Sequence, residues 1–152
     1  MKFKILILLY LGFFSTISAS FAQPLPTIPT PAASPAFSDL KGVMKAMGAD
    51  FKELGLQIKD STQNESSLAL AVDFASLVLE AQKFIPTSIL KLPVEDQEAE
   101  IQKYHQSILS LSQGTAELIS ALKLDDETAI LNAFNKIRAM KISGHSVFDP
   151  KP

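Results

Sequence analysis

The chain holds 152 residues, 47% of them hydrophobic and 20% charged, with a formal net charge of −2 and a mean hydropathy of +0.19. That is the size of one domain, too apolar for a disordered chain and too poor in aromatics and glycine for a typical β protein. Cysteine is absent, which excludes a disulfide scaffold, a Cys-ligated zinc or iron–sulfur site, a thiol nucleophile, a lipoprotein anchor and cofactor attachment through C-x-x-C-H. Net acidity gives no sign of a nucleic-acid surface.

Met1 to Ala22 has the layout of a cleaved export signal: Lys2 and Lys4, an apolar run from Ile5 to Phe14, then Ser20-Phe21-Ala22 as a small-residue cleavage site. The run is too short to span a bilayer core, which needs about 20 helical residues. The Lys-Phe-Lys start suggests a bacterial envelope, so the expected location is the periplasm, without membrane association after cleavage. Cleavage would leave twelve basic against sixteen acidic residues. Residues 23–37 carry Pro24, Pro26, Pro29, Pro31 and Pro35 and read as a flexible tether, since proline removes backbone donors and favours extended chain. The folded domain is expected over 38–149.

Four helical stretches follow. Ser38 can cap a first helix whose apolar stripe is Leu40, Met44, Met47, Phe51, Leu54 and Ile58, at alternating steps of four and three. The second stripe is Leu70, Phe74, Leu77, Ala81 and Phe84, stopped by Pro86. Residues 86–93 read as a loop with Ile89 and Leu90 tucked over the core. The third stripe is Ile101, Tyr104, Ile108, Leu111, Thr115, Leu118 and Leu122, with Glu95, Asp96, Glu98 and Glu100 complementing the helix dipole at its start. Asp125 or Asp126 can cap a fourth helix with Ile130, Phe134, Ile137, Lys141, His145 and Phe148 down one face. No useful length alternates with period two. The expected fold is all-α, an antiparallel up-down-up-down four-helix bundle.

Lys141 and His145 stand at steps where packing alone would not choose them, and Gly144 beside them costs about 1 kcal/mol against alanine inside a helix. Met44, with Met47 nearby, lies about six residues into the first helix, at the end of the bundle where the last helix finishes. A methionine sulfur and a histidine nitrogen facing each other across a core can ligate haem iron from both sides. Phe51, Leu40 and Phe148 would give apolar walls, Gly144 room, and Lys141 a cation for the propionates. The same residues also read blandly: Met44 as core filling, His145 as a dipole partner, Gly144 as a C-cap, Lys141 snorkelling to water.

Ordered motifs narrow this choice. Asp39-Leu40-Lys41-Gly42-Val43-Met44, Ala81-Gln82-Lys83 before Pro86, Ala121-Leu122-Lys123-Leu124, and His145 with Phe148 three residues on are together similar to the cytochrome b562 family over Ser38 to Phe148. The resemblance implies a four-helix bundle that holds one non-covalent haem b per chain, with Met44 and His145 at the axial ligand positions. Related cytochromes c′ carry C-x-x-C-H where this chain reads Lys141-Ile142-Ser143-Gly144-His145. The family's propionate–arginine contact would rest on Lys141, because the single arginine, Arg138, is two turns before His145. The implied function is one-electron transfer with unidentified periplasmic redox proteins, without catalysis by the chain itself.

Two other classes of function compete. One is a haem-free envelope adaptor or chaperone using the bundle surface and the tether. The other is a soft-metal site, for instance for Cu(I), built from Met44, Met47 and His145. His105 reads as a partly exposed bundle residue, with an alternative haem ligand or a partner to His145 in a metal site as its other readings. Neither histidine has glutamate three residues before it, which removes a ferritin-like di-iron centre. No Ser/His/Asp arrangement, phosphate loop or zinc motif is visible.

Overall fold

The computed structural model describes residues 37–148; the expected export segment, the tether up to residue 36, and residues 149–152 lie outside the described residues. The described chain is all-helical and contains no strand. Its elements are α1 (Leu40–Gln57), a 3-10 turn (Ser61–Gln63), α2 (Asn64–Ala81), a short α3 (Thr87–Leu90), α4 (Val94–Lys123) and α5 (Glu127–Phe148). The four long helices fall on the four apolar stripes. α3 is one helical turn within the stretch expected to be a loop, started by Pro86, whose fixed φ suits a helix beginning.

Helix ends follow the side chains that can satisfy orphan backbone groups. α1 is capped by Asp39 rather than Ser38: its carboxylate accepts the Gly42 N–H at 2.7 Å. Phe37, at the end of the expected tether, is half-buried and packs on the core. Asp60 accepts from the Thr62 N–H and hydroxyl at 3.0 and 2.6 Å and from Gln63, and these bonds hold its carboxyl below the usual range.

The two aspartates after α4 divide the work of turning the chain. Asp125 takes a left-handed φ of 51°. The Asp126 and Asp125 N–H groups return to the Ala121 and Leu122 carbonyls at 3.1 and 3.3 Å, the bonding of a Schellman cap. Asp126 then caps α5, accepting the Ala129 N–H at 2.9 Å.

The buried core takes Val43, Met47, Phe51, Leu54 and Ile58 from α1; Ala71, Phe74, Leu77, Val78 and Ala81 from α2; Tyr104, Ile108, Leu118, Ala121 and Leu122 from α4; and Ile130, Ala133, Phe134 and Ile137 from α5. Ile89 closes over it, whereas Leu90 is 54% exposed rather than tucked in. At the start of α1 the fully buried place belongs to Val43, which leaves Leu40 and Met44 half-buried on either side of it.

Polar contacts tie neighbouring helices. The Ser66 and Ser67 hydroxyls donate to the Gln57 side chain at 2.8 and 3.3 Å, whereas Asp50 of α1 is repelled by the charge of Asp73 of α2. The Tyr104 hydroxyl donates to the Ala81 carbonyl at 2.9 Å, and the buried Asn64 amide donates to Asp125 at 2.9 Å. Lys136 reaches both Glu117 oxygens at 2.7 and 2.8 Å. A β-carbon on Gly114 would lie 3.4 Å from Ile137 and 3.6 Å from the Met140 sulfur, so the glycine lets α4 and α5 approach closely. Backbones come closest between α1 and α2, α2 and α4, and α4 and α5. α1 and α5 meet mainly through side chains.

Candidate functional site

The α1 contribution begins with Phe51. Its ring stacks on Phe134 of α5 with centroids 4.6 Å apart and planes 7° from parallel, and lies 6.1 Å from the Phe74 ring. One turn earlier Met47 is buried, and another turn earlier Met44 is half-buried at the edge of the core. The step of three and four keeps all three on the inward half of the helix.

α5 contributes Lys141, Gly144, His145 and Phe148. The Lys141 ammonium sits 5.2 Å from the centroid of Phe51, a cation–π contact between the two helices. A β-carbon on Gly144 would meet nothing within 4 Å. Phe148 is half-buried; its ring meets Tyr104 edge-on at 5.3 Å and 82°, and its carbonyl accepts the Ser88 hydroxyl at 2.6 Å. These contacts hold the end of α5 against α4 and the turn before it.

Lys141 and His145 were expected at core-facing steps, and here the structure differs: both side chains are exposed. At 100° per residue they project about 40° and 80° from the buried Ile137, toward the α1 side of the helix rather than into the centre. An ammonium also loses hydration on burial without a paired charge, so a flank where its stem covers Phe51 and its head meets water is the lower-energy choice. The structure thus brings Lys141 onto Phe51. Met44 lies seven residues before Phe51 on α1, and His145 four residues after Lys141 on α5.

In the sequence Tyr104 is one member of the third stripe; in the structure it is the floor under this end of α5. It is 2% exposed, and burial pushes its phenol up to about 12. A tyrosine at a fully buried step, needing a partner for its hydroxyl, was the available signal. Nothing in the sequence marked Ser88. His105 is exposed, 5.9 Å from the Tyr104 ring, and borders a shallow depression of about 380 Å³ with Gln82, Gln106 and Leu109. It belongs to the other face of α4 from the packed Tyr104.

The α1–α5 seam carries Met44 and Met47 on one helix and the exposed His145 on the other, with open space at Gly144. Among the described residues no cluster of three or more His, Cys, Asp or Glu is placed to hold a metal ion. A thioether and an imidazole would suit a soft or borderline metal, haem iron included, better than a hard cation.

The described residues thus form an all-helical domain with four long helices. The family model described as Cytochrome b562 matches residues 39–149, from the capping aspartate of α1 to one residue past α5. The chain therefore belongs to the cytochrome b562 family, a haem-binding family. No curated protein and no solved structure matches the chain.

Proposed function

We propose that this chain is a periplasmic b-type cytochrome that holds one non-covalent haem between Met44 and His145 and passes single electrons. Bound there, haem would supply a reversible one-electron couple, which a thioether together with an imidazole would poise at higher potential than two imidazoles. Everything else falls to the residues. Met44 and His145 would hold the group from two sides, Met47 and Phe51 line its apolar bed, Phe148 anchors the end of α5, and Gly144 leaves room beside it. Lys141, one turn before His145, offers an ammonium to the acidic edge.

The reading takes the four long helices as an antiparallel up-down-up-down bundle, and paired contacts support that. On α1 and α5, Phe51 meets Lys141 whereas Gly55, further along, meets Phe134, further back, at 3.3 Å for an added β-carbon. Gln57 pairs with Ser66 and Asp50 with Asp73; Ala81 with Tyr104 and Asn64 with Asp125; Glu117 with Lys136 and Gly114 with Met140. In each set one partner's number rises as the other's falls. Counted eleven residues back along α1 from Gly55 and eleven forward along α5 from Phe134, the opposed register would set Met44 near the level of His145; counted from Phe51 and Lys141 it falls one turn further on, near Phe148. This closeness of level, within one turn, is the observation that carries the proposal.

The test is a titration of the haem-free protein with haemin, read by the Soret band and by circular dichroism. One equivalent is expected to saturate a sharp spectrum. Met44→Ala and His145→Ala should each weaken binding roughly tenfold or more with helix content unchanged, given that even outer-shell partners of metal ligands are worth 10- to 100-fold. His105→Ala should bind as the parent does. A spectrum indifferent to both ligand substitutions would refute the assignment, and competition by Cu(I) without a haem spectrum would favour a soft-metal site instead.

A further inference from the structure

The described residues carry eleven lysines and arginines against fifteen carboxylates, a net of −4, yet the two signs are not mixed evenly. On α1, Lys41, Lys45 and Lys52 fall within about 40° of one another at 100° per residue. Phe51 and Gly55, which touch α5, adjoin them on one side. Asp50 and Glu53 project toward the opposite flank, where Asp50 is close enough to Asp73 of α2 to be affected by its charge. Across the seam, Arg138 and Lys141 flank Phe134 on the side of α5 that faces α1. All five of these basic side chains are exposed.

Three cations elsewhere are held by carboxylates, Lys83 by Glu80, Lys103 by Glu100 and Lys136 by Glu117, and Lys41, Lys45, Lys52, Arg138 and Lys141 take no part in these pairs. Glu127, in the first turn of α5 and far from His145, is the carboxylate that this flank of α5 carries. A molecule of net negative charge thus presents one positive strip, running along the seam that holds the candidate site.

We propose that the α1–α5 face is the docking surface for an acidic protein, which on the cytochrome reading is the electron-transfer partner. Charge complementarity steers encounter and fixes orientation more than it adds affinity, which suits brief contacts made over an exposed crevice. A lipid surface fits less well. Membrane-bound helices insert an apolar face, whereas the apolar face of α1 is spent on the core and the chain has no tryptophan. The exposed Leu56 and Ile142 are single residues rather than a stripe.

The docking face itself is tested without haem, on the full chain, by amide NMR with poly-L-glutamate as the acidic probe at low salt. Shifts should concentrate in residues 41–52 and 138–145. Lys41→Glu/Lys45→Glu/Lys52→Glu should weaken binding roughly tenfold, and Lys83→Glu/Lys103→Glu should not. Shifts spread over the remaining cations, or a triple variant that binds unchanged, overturn the proposal. Tighter binding of phosphatidylglycerol vesicles through the same residues also overturns it in favour of a membrane surface. In the haem-loaded protein, oxidation by ferricyanide should slow as salt rises and the triple variant should reverse that slope. The net charge alone demands the opposite sign, so a parent rate that rises with salt counts against the face. Failure to load haem leaves the first measurement intact and strikes only the cytochrome reading.

Discussion

Two titratable side chains test the packing directly. Tyr104 is buried with its hydroxyl on the Ala81 carbonyl, and its phenol is pushed up to about 12 from an ordinary 10. Between those values the unfolded chain has released a proton that the folded chain keeps, so stability should fall as pH rises from 10 to 12 and level off above. Tyr104→Phe should remove that dependence and cost about 1 kcal/mol at neutral pH, measured by urea unfolding. Asp50 shifts in the same direction: burial first, then Asp73, raise its carboxyl above 3.8. Its charge at neutral pH therefore opposes folding, and stability is lost as pH rises through the raised value. Asp50→Asn should stabilise at pH 7 by no more than about 0.5 kcal/mol, since solvent screens most of the interaction. The gain should vanish below pH 3.8 in thermal melts taken across the acid range.

At the scale of elements, the turn between α4 and α5 carries a cost that the sequence does not advertise. Schellman caps usually place glycine where Asp125 adopts φ 51°, and the aspartate is retained at a position that also satisfies the buried Asn64 amide. Asp125→Ala should lose about 1 to 2 kcal/mol, because the backbone keeps an unfavourable left-handed residue and Asn64 is left without this acceptor. Asp125→Asn, tolerant of that backbone and still able to accept, should lose less. Periodicity located all four long helices, since each must bury one stripe. It does not fix the cap, expected at Ser38: Asp39 takes that place because its carboxylate reaches the Gly42 N–H while Phe37 packs down beside it. Nor could it see that Val43, not Met44, would take the innermost place, because a one-residue rotation is invisible to a pattern that tolerates either.

For the whole molecule, composition excluded cysteine chemistry and sheet architecture at once, and the ordered motifs pointed to the family that the match over 39–149 identifies. What escaped was orientation across the α1–α5 seam. A stripe assigns a residue to one half of a helix, whereas Lys141 and His145 sit at its margin, where the neighbouring helix decides between core and water. The same seam gathers the basic side chains, a feature that net charge hides and that emerges only when α1 and α5 are set side by side. A haem held there would be bounded by Met47 and Phe51 below and by cations outside, so the haem-loaded chain should also melt higher than the haem-free chain, by the mass-action stabilisation any native-state ligand confers.

The sulfur of Met44 demands the most direct test, because Met47 and Met140 also carry thioethers in the helical domain. Proton NMR of the reduced haem-loaded protein reads it directly, since a methionine methyl bound to the iron lies over the macrocycle and is shifted far upfield of every other methyl. One such resonance is expected, absent in Met44→Ala and retained in Met47→Ala. A spectrum without it, or one in which it survives the loss of Met44, would contradict the placement of the haem between α1 and α5.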